Sequence, residues 1–135
     1  MAETNHIPKT VVLAEPDLVV RQQIASRLRA DGYHVVEVDG GLELCDYLEL
    51  ARFSEGRVPA PDVIVSDADL TGYDGIQICR QVSSEVGGTP FIMLVPAGDV
   101  EMFANAEHAG AAHVLEQPIE VSMLLDAVAY FSEQQ

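Results

Sequence analysis

PDVIVSDADLTGYDG, residues 61–75, is a short β-branched apolar run that stops abruptly on Ser66 and Asp67 and passes into a turn. Val63 to Ser66 has the composition of a buried strand, so the strand delivers the Asp67 carboxylate to its own C-terminal end. In an open α/β sheet, ligands and chemistry lie outside the carboxyl ends of the strands, which makes Asp67 the first candidate functional residue. Gly72 and Gly75 let the chain turn back, and Asp74 is suited to cap a helix from about Asp74 to Val86, carrying Ile76, Ile78, Cys79 and Val82 and ended by Gly87 and Gly88.

The same strand-then-helix unit recurs on both sides of this stretch. Upstream, Thr10 to Ala14 reads as a buried strand broken by Glu15, Pro16 and Asp17; Asp17 is a plausible cap for a helix with Val20, Ile24 and Leu28 on one face, and Gly32 stops it. His34 to Val38 is a second strand, and Gly40 and Gly41 lead into a helix with Leu44, Tyr47, Leu48 and Ala51. Downstream, Pro90 to Val95 is a continuous apolar run of the kind a central parallel strand shows. A helix from about Asp99 to Gly110, a strand over Ala112 to Leu115, and a last helix from about Glu120 with Val121, Leu124, Leu125 and Val128 complete the pattern. Strands alternating with helices through short loops point to an α/β doubly wound parallel sheet, in one domain over 1–135 with a short tail at 1–9.

The chain has 7 basic and 22 acidic residues, a formal net charge of -15 and a 48% hydrophobic content. A field of that sign repels nucleic acid, membrane surfaces and anionic ligands. No apolar run approaches a bilayer span and the N-terminus lacks the features of a signal peptide, so a cytoplasmic protein is expected. Cys45 and Cys79 have no close-spaced motif and read as separate buried thiols; His6, His34, His108 and His113 lack metal-ligand spacing.

Four features together, the acidic turn after the first strand, the segment around Asp67, the AGA at Ala109 to Ala111 and the proline at Pro118, resemble the receiver domains of two-component response regulators. The resemblance implies a flavodoxin-like (βα)5 fold with strand order 2-1-3-4-5, and a phospho-acceptor role for Asp67 served by a histidine kinase. It also implies Mg²⁺ held by two adjacent acids of the first turn, the acceptor aspartate and the carbonyl two residues beyond it. Counted back from Arg21, those positions are Glu15, Pro16, Asp67 and Asp69, so one ligand is a proline and any Mg²⁺ site is weak; no cofactor is required. Asp17 replaces the missing acid if the turn is slipped by one residue, although capping is a sufficient explanation for it.

Three further positions depart from the receiver pattern. Val95 stands where receivers carry a serine or threonine, Gln117 where they carry a lysine, and Val114 where they carry a mobile aromatic. A phosphoryl group acts as a switch only through contacts that differ between two states, and here the hydroxyl, ammonium and aromatic that would make them are missing. The expected function is therefore a pseudo-receiver that signals by protein-protein contact and is not itself an enzyme. The alternative is a functional response regulator phosphorylated on Asp67. A flavodoxin-like cofactor binder ranks last, because Pro16 removes an amide and the neighbouring acids repel phosphate.

The partner surface expected on the face of the fourth helix, fifth strand and fifth helix is an apolar patch of Phe103, Val114, Met123, Ala127 and Tyr130, ringed by Glu107, Glu116 and Asp126. The partner is another signalling protein or a second copy. With few residues beyond the last helix, no DNA-binding or catalytic output domain is expected.

Overall fold

The computed structural model describes residues 7–70 and 74–133. Five strands alternate with five helices: β1 (Thr10–Ala14), α1 (Leu18–Ala30), β2 (His34–Val38), α2 (Gly41–Phe53), β3 (Val63–Asp67), α3 (Gly75–Ser83), β4 (Phe91–Pro96), α4 (Val100–His108), β5 (His113–Gln117) and α5 (Val121–Ser132). The strands form one parallel sheet in the order β2-β1-β3-β4-β5. Strand order and fold class agree with the expectation from the receiver resemblance.

Alternation along each strand divides the core in two. Val11 and Leu13 of β1, Val63 and Val65 of β3, and Ile92 and Leu94 of β4 pack against Ile24, Ala25 and Leu28 of α1 and Leu124, Ala127 and Val128 of α5. Their neighbours Val12, Ala14, Ile64, Met93, Val95 and Val114 face Leu44 of α2, Ile76, Ile78 and Cys79 of α3, and Ala106 of α4. A period of two in the strands thus requires helices on both faces. Both cysteines are free, Cys79 buried and Cys45 half-buried.

The caps fall where the side chains anticipate them. Asp17 accepts a hydrogen bond from the Val20 amide at 3.1 Å and Asp74 from the Ile76 amide at 2.9 Å, each opening a helix. Gly32, at φ +95, ends α1 in the left-handed region that side chains avoid. Two boundary differences are the largest. α3 stops at Ser83, short of the expected Val86, because the chain turns through Glu85 and Gly88, and Val86 is fully exposed. β5 runs on to Gln117, past the expected Leu115, because β4 extends through Pro96 and keeps pairing with it. Gly72 and His6 lie outside the described residues. No helix among the described residues is long and apolar enough to cross a membrane.

Leu124 is fully buried between α5 and the sheet. Leu124→Ala should lower the unfolding free energy by about 2–5 kcal/mol, read from a urea denaturation midpoint. A loss well below that range would mean that the helix is not locked onto the sheet through this side chain.

Candidate functional site

β1 and β3 are adjacent and in register, Ala14 opposite Ser66, so the residues that follow, Glu15 and Asp67, emerge together at the carboxyl edge of the sheet. Glu15 is almost wholly buried. Its main chain is fixed from two sides: the amide donates to the Val38 carbonyl at 3.1 Å and the carbonyl accepts from Arg21 Nη1 at 2.8 Å. Arg21 Nε also pairs with Glu37 Oε1 at 3.3 Å, so the guanidinium braces the turn and leaves the Glu15 carboxyl without a counter-ion from it. Glu15 Oε2 accepts from the Asp17 amide at 3.0 Å, while Oε1 is buried with no donor.

Asp67 faces that carboxyl. Burial, then the hydrogen bond and charge of Glu15, then the charges of Asp69 and Asp17, push its pKa from 3.8 up to about 8. Two carboxyls held together in low dielectric cannot both ionise cheaply, and Asp67 therefore holds its proton far above the usual carboxylate range. Among the described residues a further polar contact to the Asp67 carboxyl comes from Gln117, whose Nε2 donates to Oδ1 over a long 3.3 Å. An amide at this place orients the carboxyl without adding positive charge.

The main chain around Asp67 is closely packed. A methyl group at Gly75 would sit 2.4 Å from the Asp67 carbonyl oxygen and 3.0 Å from that of Ala68, so α3 can start against the strand end only because this residue has no side chain. The Ala68 amide donates to Leu94 at 2.9 Å and the Gly75 amide to Ala68 at 3.0 Å, which holds Asp67 at the edge.

Each position singled out in the sequence has a place here. Glu15, Asp67 and Gln117 come together. Pro16 is exposed and offers no ligand. Asp17 is committed to the first turn of α1 through its side chain. Val95 is fully buried in the core beneath α3 and α4. Among the described residues no three histidine, cysteine, aspartate or glutamate side chains converge as a metal site. The donors that fit Mg²⁺ are the orphaned Glu15 oxygen and the Asp67 carboxyl, with the Asp69 carbonyl, and a cation there would compete with the proton on Asp67. His34, His108 and His113 are exposed.

The expected partner patch requires correction. Val114 and Ala127 are buried, 9% and 8% exposed, and belong to cores on opposite faces of the sheet. Ala127 follows Leu124 by one helical turn and so faces inward with it; Val114 is on the α4 side of β5. Phe103 is half-buried against the same core as Val114. Met123 and Tyr130 remain exposed, Tyr130 packed edge-on to Phe131 with ring centroids 4.9 Å apart. Glu107, Glu116 and Asp126 are exposed, and Glu116 Oε2 accepts from the Gly98 amide at 3.0 Å, tying the loop before α4 to β5. That tie, and the burial of Glu15, were not foreseen; Arg21 six residues on was the available signal for a braced turn.

The raised pKa of Asp67 has a pH signature. Between about pH 4 and pH 8 the folded protein holds a proton on Asp67 that the unfolded chain releases, so this group's contribution to stability falls as pH rises through that window. Asp67→Asn should remove that dependence, gaining stability relative to wild type as the solution is made alkaline. Gln117→Lys should shift the window downward by supplying a cation. Carboxyl NMR titration of Asp67 is the direct check; a midpoint near 4 would show that burial beside Glu15 does not raise it.

Comparison with known proteins adds the family. The family model for the response regulator receiver domain matches residues 11–129. The transcriptional regulatory protein PdtaR of Mycobacterium tuberculosis is 28% identical over 123 residues, 90% of this chain and 56% of that protein. The C4-dicarboxylate transport transcriptional regulatory protein DctD of Pseudomonas aeruginosa is 30% identical over 118 residues, 87% of this chain and 24% of that protein. The chain thus spans about half or less of the length of these curated relatives. Among solved structures, a response regulator from Chloroflexus aurantiacus superposes with a TM-score of 0.81 at 26% identity, covering 94% of this chain and 99% of that one. With its sheet order, its strand-end aspartate and these matches, the chain belongs to the response regulator receiver domain family.

Proposed function

We propose that this receiver domain acts as a pseudo-receiver, a signalling module whose output rests on protein-protein contact and depends weakly or not at all on phosphorylation of Asp67. The observation that carries the reading is the setting of Asp67, a largely buried carboxyl facing Glu15 and reached by the Gln117 amide. A phospho-acceptor must present an ionised carboxylate as the nucleophile, and a carboxyl pushed up to about 8 is largely neutral at physiological pH. A cation would reverse this, but Pro16 supplies no ligand and Gln117 no charge.

Two further positions support the same conclusion. Val95 cannot donate to a phosphoryl oxygen, and it is packed in the core rather than poised at the loop. Val114 is a fixed core residue with no aromatic ring to swing between states. With neither group, a phosphoryl on Asp67 would meet few contacts that differ between conformations, and it would shift little.

The second reading, a functional response regulator, is favoured by one observation. Asp67 is retained at the strand end, and the Gln117 amide reaches it, so a donor for an acyl phosphate oxygen is in place. In that case a histidine kinase is the partner and Mg²⁺ is bound through Glu15 and Asp67.

Intact-mass spectrometry after incubation with Mg²⁺ and a small-molecule phosphodonor, with Asp67→Asn as blank, separates the two. The wild type is expected to gain no phosphate-sized increment, and the combined Pro16→Asp, Val95→Thr and Gln117→Lys protein is expected to gain one. A robust increment on wild type, absent from the blank, would establish the response-regulator reading instead.

A further inference from the structure

On its solvent side α1 presents Val19, Gln22, Gln23, Ser26 and Arg27, which with Val121 of α5 line a groove of about 540 Å³. No carboxylate lines it. α1 contains no acidic residue, yet it carries Arg21, Arg27 and Arg29, three of the chain's 7 basic residues. Arg21 and Arg29 are both paired with Glu37, at 3.3 and 2.9 Å. Arg27 takes part in none of the ion pairs among the described residues. At the other end of the groove, where both helices begin, stand the exposed carboxylates of Asp17 and Glu120.

We propose that two copies of this chain pair through the α1–α5 groove, their α1 helices antiparallel about a twofold axis close to Gln22 and Gln23. Charge is the basis for choosing a second copy. Each copy carries a formal -15, so two copies repel over most orientations and approach at least cost where the local charge is balanced. The groove is such a place. With carboxylates at one end and a lone guanidinium at the other, it complements itself only when the two copies run in opposite directions.

The register follows from helix geometry. Asp17 and Arg27 lie equally far from Gln22 along the helix, so a twofold axis there brings Arg27 of each copy level with the Asp17 and Glu120 end of the other. Both ends of the contact are then oppositely charged, and the interface is isologous and closed. Between them Val19, 62% exposed in the single chain, and Val121 lose contact with water, and the Gln22 and Gln23 amides can bond across the axis. One helix face from each copy is at the small end of specific interfaces, below about 1,200 Å², so the dimer is weak and forms at micromolar concentrations or above.

Sedimentation equilibrium of the full chain from about 10 μM to 1 mM tests this. A monomer–dimer equilibrium is expected. Arg27→Glu and Glu120→Arg should each weaken it by about tenfold, since each sets like charges against one another at both ends. An equimolar mixture of the two variants should recover wild-type affinity, because opposite charges then meet at both ends. Val19→Asp should abolish the dimer and Met123→Ala should leave it unchanged, with circular dichroism confirming the fold of each. A chain that stays monomeric throughout overturns the proposal, as does a dimer indifferent to Arg27→Glu and Val19→Asp. A mixture no tighter than either variant alone overturns the antiparallel arrangement.

Discussion

Val11, Val12, Leu13 and Ala14 pair with Val63, Ile64, Val65 and Ser66, and because both faces of these strands are buried the register cannot slip without turning each core inside out. The same register sets Glu15, one step past β1, beside Asp67 at the end of β3. The strength of the apolar packing, exerted over strands five residues long, therefore holds two carboxyls together against their mutual repulsion. Among the described residues no cationic side chain pairs with either carboxyl, and burial beside Glu15 raises the pKa of Asp67, because a protonated carboxyl costs less than a buried, unpaired negative charge.

Arg21 shows how the surrounding charges are arranged. Its guanidinium is close to Glu15, yet it bonds the main-chain carbonyl and Glu37 and not the carboxyl. It thereby fixes the turn while leaving the site electrically acidic. Gln117 plays the corresponding part from β5, approaching Asp67 with an amide. The frame that places Asp67 at the sheet edge is thus complete, while among the described residues no cationic side chain bonds its carboxyl.

On the outside, the acidic surface limits how the domain can meet another molecule. Apolar side chains at the surface, such as Met123 and Tyr130 on α5, are set among carboxylates, whereas Val19 lies on α1, which has no acid and whose Arg21 and Arg29 share the single carboxylate of Glu37. An interface in such a protein is selected by where charge is balanced as much as by where apolar area is exposed.

The sequence by itself determined the alternation of strands and helices, the caps at Asp17 and Asp74, the stop at Gly32, and the placing of Asp67 at a strand end. These are local matters, set by periodicity of two or 3.6, by side chains that bond the nearest amides, and by glycine's freedom at positive φ. The departures at Pro16, Val95 and Gln117 were equally legible, because they are read position by position against the receiver pattern. Only the tertiary structure decided the burial of Glu15 and its partnership with Asp67, which lie on different strands and meet through sheet register. It decided too that Val114 and Ala127 face opposite cores, since which side of a strand or helix is covered depends on the elements packed there. Residues far apart in the chain acquire their charge state and their exposure from neighbours that no local pattern names.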